Sequence, residues 1–195
     1  MMPFTPSRRF VVLACSVVAL TAALAAQSHD RFSLKSSNSI AFSEFRGYEA
    51  WPLIATSQHD GDDGCGTSPS GCAKAILGNP IMIKAYQDGF PGNGKPVPDG
   101  AMMAKIEWLK ATDDAAPYQV TVPGAQTEVA FMVKDATRFA DTNGWGYVTL
   151  EYEAASNRYK PHAGQGRPAF ARACDACHTA GAKTTDFVYT TFARR

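Results

Sequence analysis

The sequence carries no excess of charge of either sign. Lys and Arg number 19 and Asp and Glu 18, for a net charge of +1. A nucleic-acid binder needs a basic excess and a polyanion mimic an acidic one, so neither class fits. No run of one sign interrupts the mixture. Internal repeats and low-complexity tracts are also missing, which excludes solenoids and linker arrays. Beyond residue 26 no apolar stretch is long enough to span a bilayer. Histidine is scarce, at 4 residues, and neither His nor Met occurs in 179–195.

What remains is ordinary globular material: 195 residues, 45% hydrophobic and 19% charged. That length suits one domain. Residues 1–26 read as a secretory signal, with Arg8 and Arg9 ahead of an apolar run and Ala23-Leu24-Ala25 as a small-x-small cleavage site. A retained anchor, or a lipoprotein signal ending at Cys15, is the alternative. Residues 27–40 are expected to form a flexible N-terminal segment, with the domain in 41–195. Cleavage predicts a chain with no membrane attachment, in the periplasm or secreted, in an oxidising compartment.

Of the 5 cysteines, Cys15 leaves with the signal. Cys65 and Cys72 lie in a stretch rich in Gly, Ser and Asp, which has turn chemistry and no periodicity. Two nearby loop cysteines in an oxidising compartment predict a disulfide; a metal site drawing on His59 is the weaker alternative. Cys174-Asp-Ala-Cys177-His178 is different. It is the C-x-x-C-H pattern of covalent c-type haem attachment. Residues three apart share a helix face, so both thiols reach the vinyl groups of one porphyrin. His178 then serves as the proximal iron ligand, with one haem c per chain. Pro168 suits a helix start, the following residues favour helix, and Gly181 is expected to end it. The other possibilities for the motif are a redox dithiol, a disulfide or part of a zinc site.

With neither Met nor His after His178, a sixth iron ligand must come from upstream. His59, His162, Met82, Met102, Met103 and Met132 are the candidates. The methionines sit in apolar runs and read as core filler, and His162 reads as a loop residue. The pattern leans towards an open iron site that binds or transforms small molecules.

The remaining chain predicts an α+β fold: an antiparallel β-sheet with short helices packed on one side and the C-x-x-C-H helix near the C-terminus. Strands are expected at 52–56, 73–77, 101–109, 126–133 and 146–152. Helices are expected at 80–87 and, briefly, 135–139, with a helix or turn in 41–51.

Several ordered pieces together resemble the cytochrome P-460 family. They are Phe90-Pro, Pro98-Asp-Gly-Ala-Met-Met-Ala-Lys105-Ile-Glu-Trp, Phe131-Met-Val-Lys-Asp-Ala-Thr-Arg-Phe-Ala, Gly144-Trp-Gly-Tyr, Cys174-Asp-Ala-Cys-His178 and Asp186-Phe-Val-Tyr. The resemblance implies a β-rich homodimer with one c-type haem and a proximal histidine. In the name-giving members a lysine is bonded to the porphyrin edge, and hydroxylamine is oxidised to nitric oxide or nitrous oxide. A related branch, the β-sheet cytochromes c-prime, lacks that bond and binds nitric oxide or carbon monoxide.

Lys105 falls where the family's cross-linking lysine lies. A lysine bonds as the neutral amine, and burial beside an apolar macrocycle is expected to lower its pKa. In a strand it shares a face with Met103 and Glu107. The distal carboxylate of the hydroxylamine-oxidising members falls on Ala130, which accepts no proton. Glu128, two residues earlier on the same face, is the candidate replacement. Phe131 and Met132 are expected to line or cap the pocket. The implied function is oxidation of a small nitrogen compound such as hydroxylamine, with electrons passed to a partner cytochrome. The alternatives are a non-catalytic binder of nitric oxide or carbon monoxide, and a plain electron carrier.

Overall fold

A computed structural model describes residues 31–35, 40–61, 71–115, 117–164 and 168–193. Cys15, His29 and Cys65 lie outside them, as do the expected signal and the expected Cys65–Cys72 pairing. Six strands run in chain order across one antiparallel sheet: β1 (Leu53–His59), β2 (Cys72–Gly78), β3 (Met102–Asp113), β4 (Val120–Lys134), β5 (Trp145–Glu153) and β6 (Arg158–Pro161). Among the described residues two α-helices accompany it, α1 (Pro80–Gln87) and α2 (Pro168–Ala182). Among the described residues no helix is long and apolar enough to cross a membrane.

Alternation along the strands divides the interior in two. On one face Leu77, Ala104, Val129, Phe131, Val148 and Leu150 meet Ile40 and, from the N-terminal 3-10 turns, Phe42, Phe45 and Tyr48. Phe131 stacks on Phe45, with centroids 4.1 Å apart. On the other face Ile54, Ile76, Met103, Trp145 and Tyr147 pack with Met82 and Tyr86 of α1, Cys174 of α2, and Val188 beyond it. Of the segment expected to be flexible, Phe32 and Leu34 pack against the first cluster and Ile40 belongs to it.

Local chemistry places the helices. Asn79 caps α1: its Oδ1 accepts from the backbone N–H of Met82 at 3.0 Å, and Pro80 occupies the first turn. The same oxygen accepts from Met102 N–H at 3.0 Å, and Nδ2 donates to the Gly100 carbonyl at 2.8 Å. One side chain thereby ties α1 to the start of β3. Helix α2 packs on β5. Its Asp175 carboxylate accepts from Asn143 Nδ2 at 2.8 Å, which anchors the helix to the turn before β5.

Three expectations need correction. Residues 135–139 form turns rather than a helix, and the helical geometry comes later, as a 3-10 turn over Ala140–Thr142. The expected strands at 101–109 and 126–133 extend into a long hairpin, and β6 was not foreseen. Gly181 does not end α2, which continues to Ala182. A Cβ there would lie 2.3 Å from the Tyr189 hydroxyl and 2.5 Å from its ring, so the glycine admits Tyr189 against the helix.

Candidate functional site

Between the sheet and α2 lies a cavity of about 580 Å³. Its wall includes Ile76, Met103, Lys105, Ala130 and Met132 from the sheet, Tyr147 from β5, Cys174, Cys177 and His178 from α2, and Val188 and Tyr189 from the tail. Sequence-adjacent residues 174 to 178 and distant Lys105 thus meet at one site. The volume lies within the range of small-molecule and cofactor pockets.

His178 is the most tightly defined of these side chains. Its Nδ1 lies 2.6 Å from the carbonyl oxygen of Phe187. A carbonyl only accepts, so Nδ1 carries the proton and Nε2 keeps its lone pair for a metal. Burial pushes the imidazole pKa below its usual value, against a smaller upward pull from the Phe187 carbonyl, and so favours the neutral form. The ring sits between Tyr147, with centroids 5.1 Å apart, and Tyr189, at 4.9 Å. The Tyr189 hydroxyl donates to the Cys177 carbonyl at 2.6 Å. Cys174 is half-buried and Cys177 exposed, and no disulfide joins them. Burial pushes the Cys174 thiol pKa up.

On the sheet side the charges are paired across strands. Lys74 faces Glu107, Glu107 faces Glu128, Glu128 faces Glu151 and Glu151 faces Lys160, in register from β2 to β6. Three carboxylates directly opposite one another repel. Lysines relieve the repulsion. Lys105 Nζ lies 3.4 Å from Glu107 Oε2 and 3.2 Å from Glu128 Oε1, and Lys74 Nζ lies 3.5 Å from Glu107 Oε2. Lys160 approaches Glu151 at 3.5 Å. Glu107 is only 2% exposed.

The carboxylates set the balance at Lys105. Burial does pull its pKa down, but the charges and hydrogen bonds of Glu128 and Glu107 outweigh it, and the net shift is upward. The amine is held as an ammonium beside the cavity. Glu128 is not itself on the wall; it reaches the site through Lys105. Phe131 touches the cavity, yet its ring lies in the opposite cluster on Phe45, while its strand neighbours Ala130 and Met132 point the other way. Of the candidate sixth ligands, Met103 and Met132 line the cavity. Met82 fills the second cluster, Met102 packs against the first, and His59 and His162 are not on the wall. His162 instead lies against Phe170, with Nε2 3.7 Å from Glu151.

Tyr147, Tyr189, Lys74 and Asp186 have no role assigned from sequence. Tyr147, Asp186 and Tyr189 do fall within the quoted motif pieces, whereas the pairing of Lys74 with Glu107 depends on strand register.

The donor set fits a haem: two thiols one helical turn apart, an imidazole in the tautomer that leaves Nε2 for iron, and a largely apolar wall opposite. The comparison with curated proteins gave no match. The family model for cytochrome P460 matches residues 45–190 and so takes in every wall residue named above. With that match over most of its length the chain belongs to the cytochrome P460 family, whose cofactor is haem.

Proposed function

We propose that this chain is an exported mono-haem cytochrome of the c type that oxidises a small nitrogen compound of the hydroxylamine class. The observation that carries the reading is the convergence of Cys174, Cys177, His178 and Lys105 on one cavity. Cys174 and Cys177 hold the haem as thioethers and His178 provides the axial nitrogen. The haem supplies the redox chemistry; the protein sets access and proton transfer.

Oxidation of hydroxylamine to nitric oxide releases three electrons and three protons. The electrons pass to an acceptor cytochrome. The protons need a route out of a mostly apolar cavity. Lys105 is at the wall, and the Glu128 and Glu107 carboxylates stand behind it. Ala130 leaves no carboxylate at the position used by relatives of the hydroxylamine-oxidising type, so Glu128 acts through Lys105. Contact of Lys105 with the haem edge belongs to this reading, as do a homodimer and a Cys65–Cys72 staple that closes the loop before β2.

A second reading, a binder of nitric oxide or carbon monoxide, is favoured by Ile76, Met103, Ala130, Met132 and Val188, which give the wall an apolar surface suited to neutral diatomics. Turnover decides between the two. The mature haem-loaded protein should reduce an artificial electron acceptor when given hydroxylamine, and Glu128→Gln should slow it severalfold. Ligand binding without any acceptor reduction would select the gas-binding reading.

A further inference from the structure

The Phe187 carbonyl reaches His178 only because the chain reverses sharply after α2. A 3-10 turn, Lys183–Thr185, leads into two successive non-glycine residues in the left-handed region, Asp186 at φ 45° and Phe187 at φ 65°. Aspartate tolerates that region and phenylalanine does not. Such a backbone persists only where its surroundings hold it.

The surroundings do hold it, and chiefly through Asp186. One carboxylate oxygen accepts from Lys134 Nζ at 3.0 Å and the other from the backbone N–H of Val97 at 2.7 Å. The Asp186 carbonyl accepts from Trp145 Nε1 at 2.9 Å. Lys134 stands at the end of β4, its side chain 8% exposed, with Nζ 5.0 Å from the Trp145 ring. Beyond the turn, Phe187 N–H donates to the Ala182 carbonyl at 2.8 Å. An ion pair with a buried lysine therefore clamps the very residue that precedes the acceptor for His178.

We propose that Lys134 and Asp186 are positioning residues for the axial ligand, fastening the reversed turn that aims the Phe187 carbonyl at His178 Nδ1. This rests on the reading of His178 as the iron ligand. A firm hydrogen bond to Nδ1 fixes the tautomer and ring orientation and makes the imidazole a stronger donor, which favours the oxidised iron. Loosening the turn weakens that donation.

The test uses the mature haem-loaded protein and its Lys134→Met, Asp186→Asn and Lys134→Arg variants. Asparagine also tolerates the left-handed region, so Asp186→Asn tests the ion pair without imposing a new backbone conflict. The readouts are the iron–histidine stretching band of the reduced protein and the midpoint potential. Lys134→Met and Asp186→Asn should move the band to lower frequency and make the potential more positive, and Lys134→Arg should restore both. If Lys134→Met does not accumulate as folded protein, Asp186→Asn decides by the same criterion. A wild-type band that stays in place in the folded, haem-loaded variants overturns the fastening alone. A reduced wild-type protein that is high-spin and five-coordinate yet shows no such band overturns the axial assignment, and this inference with it; in a low-spin reduced protein the midpoint potential decides by the same criterion.

Discussion

Lys105 Nζ lies 3.2 Å from Glu128 Oε1, across the pairing of β3 with β4. The contact makes the lysine a charged member of the cavity wall rather than a neutral amine. It also explains how Glu128, set back from the wall, bears on the site.

The pH dependence of this contact has a defined sign. The folded pKa of Lys105 is raised above the ordinary lysine value of 10.5. Its stabilising contribution is therefore complete below that value and is lost as pH rises through the folded pKa. Urea unfolding of wild type and Lys105→Met should give a stability difference that is flat from neutrality to about pH 10 and narrows above it. A difference that widens with alkalinity would contradict the pairing.

Lys105→Ala should alter the absorption spectrum of the haem-loaded protein, since the side chain belongs to the wall beside the three α2 residues. An unchanged spectrum would place Lys105 out of contact with the haem.

Glu107 is the buried member of the charge row, shared by Lys74 and Lys105. Removing its charge leaves two lysines without their common partner. Both lysines retain some solvent, so the loss is smaller than for a fully buried pair. Glu107→Gln should cost about 1–3 kcal/mol in urea unfolding. A variant as stable as wild type would mean that Lys74 and Lys105 find equivalent partners.

Phe131 touches the cavity, as expected from the sequence, but its ring is committed to the opposite cluster. Its ring stacks on Phe45 and meets Tyr48 edge-on, with centroids 5.0 Å apart. Phe131→Leu should lower stability by about 1–2 kcal/mol through lost packing and leave the haem absorption bands where they are. Shifted bands with unchanged stability would mean that its contact with the cavity outweighs its packing on Phe45.

The parts of the site legible in sequence were those with a local code. Cys174, Cys177 and His178 declare themselves because one helical turn carries the whole pattern. Strand alternation gave the shared face of Met103, Lys105 and Glu107. The helix expected at 80–87 was legible as well and matches α1, whereas its Asn79 cap emerged only with the structure. Properties that depend on register were not legible. The upward pKa shift of Lys105 needs Glu128 opposite Glu107, and the shift expected from burial alone has the opposite sign. Tyr189 folding back on Gly181 and Asp186 reaching Lys134 across 52 residues follow no spacing rule. The short β6 is polar and forms at the sheet edge, where pairing with β5 rather than apolar alternation defines the strand.

Mass spectrometry of the haem-bearing peptides after proteolysis, on protein matured in a host competent for haem attachment, tests the central claim most directly. The account predicts that the peptide holding Cys174 and Cys177 carries the mass of one haem joined through both thiols. Cys174 and Cys177 recovered as unmodified thiols, with haem absent or lost on denaturation, would contradict it.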